Sequence, residues 1–97
     1  MTTTPAASIF IVAAVEWAAS AGFDDHVWRL GRVLRMYLHR QAMWSAQVTV
    51  QRLAAEAARR QHRPAAEGVA LACVAVTSDL LGRPDDAQVA RARALRL

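Results

Sequence analysis

Helix breakers are scarce in this chain and fall at well-separated places, and that spacing limits what it can fold into more than any other feature. Glycine or proline marks Gly22, His62-Arg63-Pro64 and Gly82-Arg83-Pro84, and the aromatic turn "QAMWS" (41–45) adds another break. Between these breaks apolar residues recur at three- and four-residue steps, and no stretch alternates convincingly at period two. That pattern predicts an all-α protein of about five helices. Thr4-Pro5 starts a first helix that runs to about Ser20 and stops at Gly22. Asp24 and Asp25 suit the positive end of a second helix beginning near His26. A third covers "SAQVTVQRLAAEAARRQ", with Ser45 as N-cap and arginines at its negative end. Pro64 belongs in the first turn of a fourth helix reaching about Leu81, and Pro84-Asp85-Asp86 opens the fifth.

The second helix is two-faced. Val27, Leu30, Val33, Leu34, Tyr37 and Leu38 fill one side at 100° per residue, while Arg29, Arg32, Met36, His39 and Arg40 fill the other. Ninety-seven residues suffice for one small domain with a modest core, and alanine supplies 22 of them. Alanine buries little area but favours helix strongly. The basic excess is local, because residues 24–63 hold eight arginines against three acids, whereas residues 64–97 balance at four and four. With twelve arginines and no lysine, this composition fits a GC-rich bacterial coding sequence.

Cys73 is the lone cysteine, which rules out an internal disulfide and points to a reducing, cytoplasmic setting. Its neighbours in "VALACVAV" suit a core thiol rather than a nucleophile. His26, His39 and His62 are dispersed, so no metal or cofactor site is expected, and nothing resembles a nucleophile turn. Trp17, Trp28 and Trp44 read as packing anchors rather than a base-stacking platform. Glu16 interrupts the apolar run "PAASIFIVAAV" short of the ~20 residues a membrane span needs. "MTTTP" lacks the positive charge of a secretory leader, although Ser20-Ala21-Gly22 could serve as a weak cleavage region.

The last two helices, "ALACVAVTSDLLGRPDDAQVARARALRL", are similar to the tetratricopeptide repeat. Leu71, Val74 and Ala75 stand at the first helix's signature positions, Leu81-Gly82 at its turn, and Ala87 and Ala94 at the small positions of the second helix. Ser78, Pro84 and Arg91 depart from the pattern, each where an aromatic is usual. An earlier, degenerate copy aligns Ala42 with Gly82 and Trp44 with Pro84, an offset of 40 residues against about 34 for the standard repeat. Its signature positions hold Arg35, Gln47 and Gln51. Glu16-Trp17, Trp28, Trp44, Gln51-Arg52 and Arg59-Arg60 together resemble the start of the tetratricopeptide array in bacterial regulators that carry an NB-ARC-type ATPase, many with an antibiotic-regulator-type DNA-binding domain. The likeness spans roughly residues 12–97. It includes no phosphate loop, magnesium-binding Asp pair or DNA-binding domain, so it implies the scaffold alone.

The resemblance implies an α-α superhelix divided into an N-terminal helix (1–22), a degenerate repeat (24–63) and an uncapped second repeat (64–97). It also implies a groove lined by the first helix of each pair: Arg29, Arg32, Met36, His39 and Arg40, then Val69, Ala72, Val76, Asp79 and Leu80. Such a groove suits a helix or acidic peptide of a protein partner, since guanidinium binds carboxylate bidentately. The expected function is therefore noncatalytic protein interaction. The alternative is an arginine-rich nucleic-acid-binding or transcription-regulatory helix protein, although no helix-turn-helix spacing stands out. Val89, Leu95 and Leu97 are expected to lie uncovered where a next repeat would pack, as in a fragment of a larger regulator or in a homo-oligomer formed through the C-terminal helix.

Overall fold

The computed structural model describes residues 5–97. They form α1 (Pro5–Ser20), α2 (Asp24–Arg40), α3 (Trp44–Arg60), α4 (Pro64–Leu80) and α5 (Pro84–Leu95), with no strand among the described residues. The all-α expectation holds. The expected start at Thr4 lies outside the described residues.

The turns share one geometry. Residues 22, 42, 62 and 82 each take a positive φ: 82° at Gly22, 53° at Ala42, 55° at His62 and 72° at Gly82. At each turn the next amide donates back five residues, as in Phe23 N–H to Ala18 O (3.0 Å) and Arg83 N–H to Ser78 O (2.8 Å). The positive-φ residue itself donates back three, as in Ala42 N–H to His39 O (3.0 Å) and His62 N–H to Arg59 O (3.1 Å). This pair of bonds is the Schellman motif, which satisfies the last carbonyls of a helix and stops it in one step. The turns stand 20 residues apart, so the molecule is built of 20-residue helical units and the 40-residue offset read from sequence is two of them.

These tight stops correct two boundaries. Only three residues separate one helix from the next, so α3 starts at Trp44, with Met43 at the cap position and Ser45 inside the first turn. For the same reason α2 begins at Asp24 itself, not near His26.

Successive helices from α2 onward pack as antiparallel neighbours: α2 on α3, α3 on α4, α4 on α5. Helix α1 lies against both α2 and α3. The even helices α2 and α4 touch and make one layer, with the odd helices forming the other. The slab is 18 Å thick, close to two helix diameters. Helix α3, wrapped by α1, α2 and α4, carries the core, and Ala54, Ala55, Ala57 and Ala58 are buried around it. Short side chains on several faces let three neighbours approach one helix closely.

The closest approach resets the face of α2. Its buried residues are Val27, Trp28, Gly31 and Leu38, with Leu30 and Leu34 partly covered. Two of the expected core residues are out: Val33 is 74% exposed and Tyr37 is also exposed. The reason is Gly31, where a Cβ would stand 2.7 Å from Ala54 Cβ. Helix α3 packs onto that bare backbone, and Val33 sits about 200° around the helix from it. The tryptophans divide as well. Trp28 is buried and Trp44 is half-buried, its ring 5.3 Å from His39, but Trp17 is 66% exposed and anchors no core.

Polar residues that weaken the repeat signature turn out to be structural. Gln47 and Gln51 are among the most deeply buried side chains. Gln47 Nε2 donates to Arg35 O (2.9 Å), while Gln51 Nε2 donates to Gly31 O (2.8 Å) and Gln47 Oε1 (3.1 Å). Where α2 comes this near, its carbonyls accept a second bond, so buried amides are satisfied rather than orphaned. Ser78 is buried too, and its hydroxyl has no hydrogen-bond partner among the described residues.

Candidate groove between α2 and α4

A cavity of about 390 Å³ opens along the seam where α2 meets α4. Met36 and His39 line it from α2 and Val69, Ala72 and Val76 from α4, with Gln47 reaching in from α3. The seam continues past Trp28, Arg32 and Ala66 to a wider mouth of about 340 Å³ bounded by Arg32, His62, Arg63 and Pro64. The 20-residue unit explains the alignment: residues 36 and 76 sit at equivalent positions of α2 and α4, so adjacent helices present them in parallel rows.

Of the residues expected in the groove, the fold brings together Arg32, Met36, His39, Val69, Ala72 and Val76. Arg29 and Arg40 do not line it. Arg29 Nε instead donates to Asp25 Oδ2 at 3.0 Å, one turn back, and its guanidinium lies 4.7 Å from the Trp28 ring centre. Asp79 is ion-paired with Arg91 of α5, and Leu80 is exposed beyond the cavity. Sequence reading missed Trp28, Arg35, Arg63 and Cys73. Arg35 carries a legible signal, since it lies three residues after Arg32 and four before His39, on the same side of α2. It is passed over when position 35 is assigned to the repeat's core.

The charges are segregated. Every charged side chain along the seam is an arginine: Arg32, Arg35 and Arg63. None of the three has an ion-pair partner among the described residues. A second cavity, about 330 Å³ between α3 and α5, shows the opposite condition. There Arg52 faces Asp86 at 3.8 Å, and Arg93 Nη2 donates to Glu56 Oε1 at 3.0 Å while standing 3.6 Å from Glu67. Those charges neutralise one another; the seam's do not. The seam floor is apolar yet open, with Met36 51% and Val76 55% exposed.

Trp28 shapes the mouth. Its Nε1 donates to Gln61 Oε1 at 3.0 Å, and Arg63 stands 6.0 Å from the ring centre. The tethered indole is thus within cation–π reach of Arg63 at the mouth and of Arg29 on its own helix. Cys73 sits on the groove wall, half-buried, where burial pushes its thiol pKa up and Thr77 Oγ1 lies 3.9 Å from Sγ. Raising the pKa keeps the thiol protonated, the opposite of what a nucleophile requires. Among the described residues no three His, Cys, Asp or Glu side chains gather as a metal site, and no helix is long and apolar enough to cross a membrane. Comparison with protein families, curated proteins and solved structures returns no match.

Proposed function

We propose that the chain is a noncatalytic protein-interaction module, similar to a tetratricopeptide segment, that takes an acidic, partly apolar segment of a partner into the α2/α4 groove. One observation carries this reading: Arg32, Arg35 and Arg63 are gathered along one apolar seam without an ion-pair partner among the described residues, while six of the eight carboxylates, all outside it, hold arginines of their own. A guanidinium left free beside an exposed apolar floor suits a ligand with carboxylates along one edge and aliphatic side chains along the other. The floor of Met36, Val69 and Val76 favours a peptide over the phosphate backbone of nucleic acid, which offers no apolar side chains to cover it.

The probe is a fluorescent amphipathic peptide with glutamates on one face and leucines on the other. Binding is expected to weaken by tenfold or more in Arg32→Glu plus Arg35→Glu, and far less in Arg83→Glu plus Arg96→Glu, a charge-matched control outside the seam. Equal loss in both variants would remove the groove from the account. Displacement of the peptide by duplex DNA at low salt would instead favour the nucleic-acid reading.

A further inference from the structure

Helix α1 is apolar on two sides, and only one of them is used. Its inner side buries Val15 completely and partly covers Ile11 and Ala18 against α2 and α3. The outer side presents Ala6, Phe10, Ala13, Trp17 and Ser20, all exposed, with Phe10 at 73% and Ile9 beside it at 65%. Their spacing is four, three, four and three residues, the a/d seam of a coiled coil. A helix apolar all round is ordinarily buried all round.

We infer that this outer seam of α1 is a homodimer interface, in which two copies of the chain pair their α1 helices antiparallel. Charge argues for a second copy as the occupant. Glu16 is the lone charged residue among 1–23, in a chain otherwise rich in arginine, so the seam offers nothing for a partner chosen by electrostatics. What it offers is alternation of bulky and small side chains, and the same seam reversed is its complement. Antiparallel pairing lays Phe10 over Ala13 of the second copy and Trp17 over Ala6 of the second copy. Alanines opposite aromatics let the helices approach closely, and Glu16 then falls beside Ile9 of the second copy rather than against its own counterpart. The Trp17 ring is already steadied at 5.8 Å from Phe23, so little side-chain freedom is lost on pairing.

The area fits a weak dimer. With aromatic side chains contributing ~150–250 Å² each, the seam and its flanks carry roughly 500 Å² per copy. The pair would then bury about 1,000 Å², at the threshold for a specific interface, so association should depend on concentration. An isologous contact of this kind closes on itself and leaves both α2/α4 grooves open.

Light scattering of the chain over a broad concentration range tests this. Its mass should rise toward twice the monomer value. Phe10→Glu plus Trp17→Glu should hold it at the monomer while leaving helical circular dichroism and acidic-peptide binding unchanged. A monomer at every concentration overturns the interface, as does a dimer that survives the double variant or one abolished instead by Leu95→Glu plus Leu97→Glu in α5. A monomer that binds zwitterionic vesicles would assign the seam to a lipid surface and equally overturn it. In a Cys73→Ala background, Phe10→Cys copies mixed with Ala13→Cys copies should oxidise chiefly to mixed dimers. Predominance of like-with-like dimers contradicts the register.

Discussion

Gly31 shows how one missing side chain can govern a fold. By helix propensity alone, alanine would be better there by about 1 kcal/mol. The Cβ it adds would lie 2.7 Å from Ala54 Cβ, an atom fixed to the backbone of the central helix and unable to swing away. Crowding of this kind typically costs about 1–3 kcal/mol, and the displaced helix would also stretch the bond from Gln51 to Gly31 O. Gly31→Ala is therefore expected to lower stability in urea denaturation by about 1–2 kcal/mol, with partial recovery on adding Ala54→Gly. Gly68 is the control. It too is helical, but a Cβ there meets only Leu97 Cδ1 at an ordinary 3.5 Å, so Gly68→Ala should stabilise the fold. The same response at both positions would contradict the close-approach account. Sequence marks both residues merely as helical glycines, and nothing local tells them apart.

At the scale of the element, the four turns impose one shape on different residues. Gly22 and Gly82 suit the left-handed conformation, whereas Ala42 and His62 hold it with a Cβ. That conformation costs a non-glycine residue roughly 1–2 kcal/mol, partly offset because glycine loses more chain entropy on folding. Ala42→Gly and His62→Gly should each raise the thermal midpoint, with a gain of about 0.5–1 kcal/mol, while Gly82→Ala should lower it. The glycine turns were legible for the same reason, and Pro64 made the third visible by starting a helix just beyond it. The turn at Ala42 had only its aromatic neighbours as a signal. Helix ends could be read to within a residue or two, but the starts at Asp24 and Trp44 followed from the three-residue Schellman stop rather than from the capping preferences of Ser45.

Across the molecule, ion pairs tie the units together and make its stability depend on acid. Asp24 at the start of α2 accepts two bonds from Arg60 at the end of α3, at 3.0 and 2.8 Å, clamping that hairpin shut. Glu56 accepts from Arg59 and from Arg93, joining α3 to α5. The Arg60 hydrogen bond holds the Asp24 carboxyl below its ordinary pKa, and the Arg59 bond, aided by Arg93, does the same for Glu56. A carboxyl with a lowered folded pKa stabilises fully above its unfolded pKa, and that contribution disappears as pH falls through the folded one. Stability should therefore be flat near neutrality and decline below about pH 4. Asp24→Asn should lower the neutral plateau and flatten part of the acid slope. An unchanged slope would show that these pairs are too well hydrated to matter.

The sequence by itself determined the helices and most of their breaks, because helix formation and termination depend on residues within a turn or two of each other. It also placed part of the groove, since Arg32, Met36 and His39 share one side of a helix whatever lies beyond it. Only the tertiary structure decided which side of α2 is buried, because Gly31 has to meet Ala54 across 23 residues of chain before that face is fixed. The same contact exposes Val33 and turns Gln47 and Gln51 into satisfied core residues. Pairing decided which arginines are free. Arg29 and Arg32 look alike in sequence, yet Asp25 holds the first, and among the described residues no carboxylate pairs with the second.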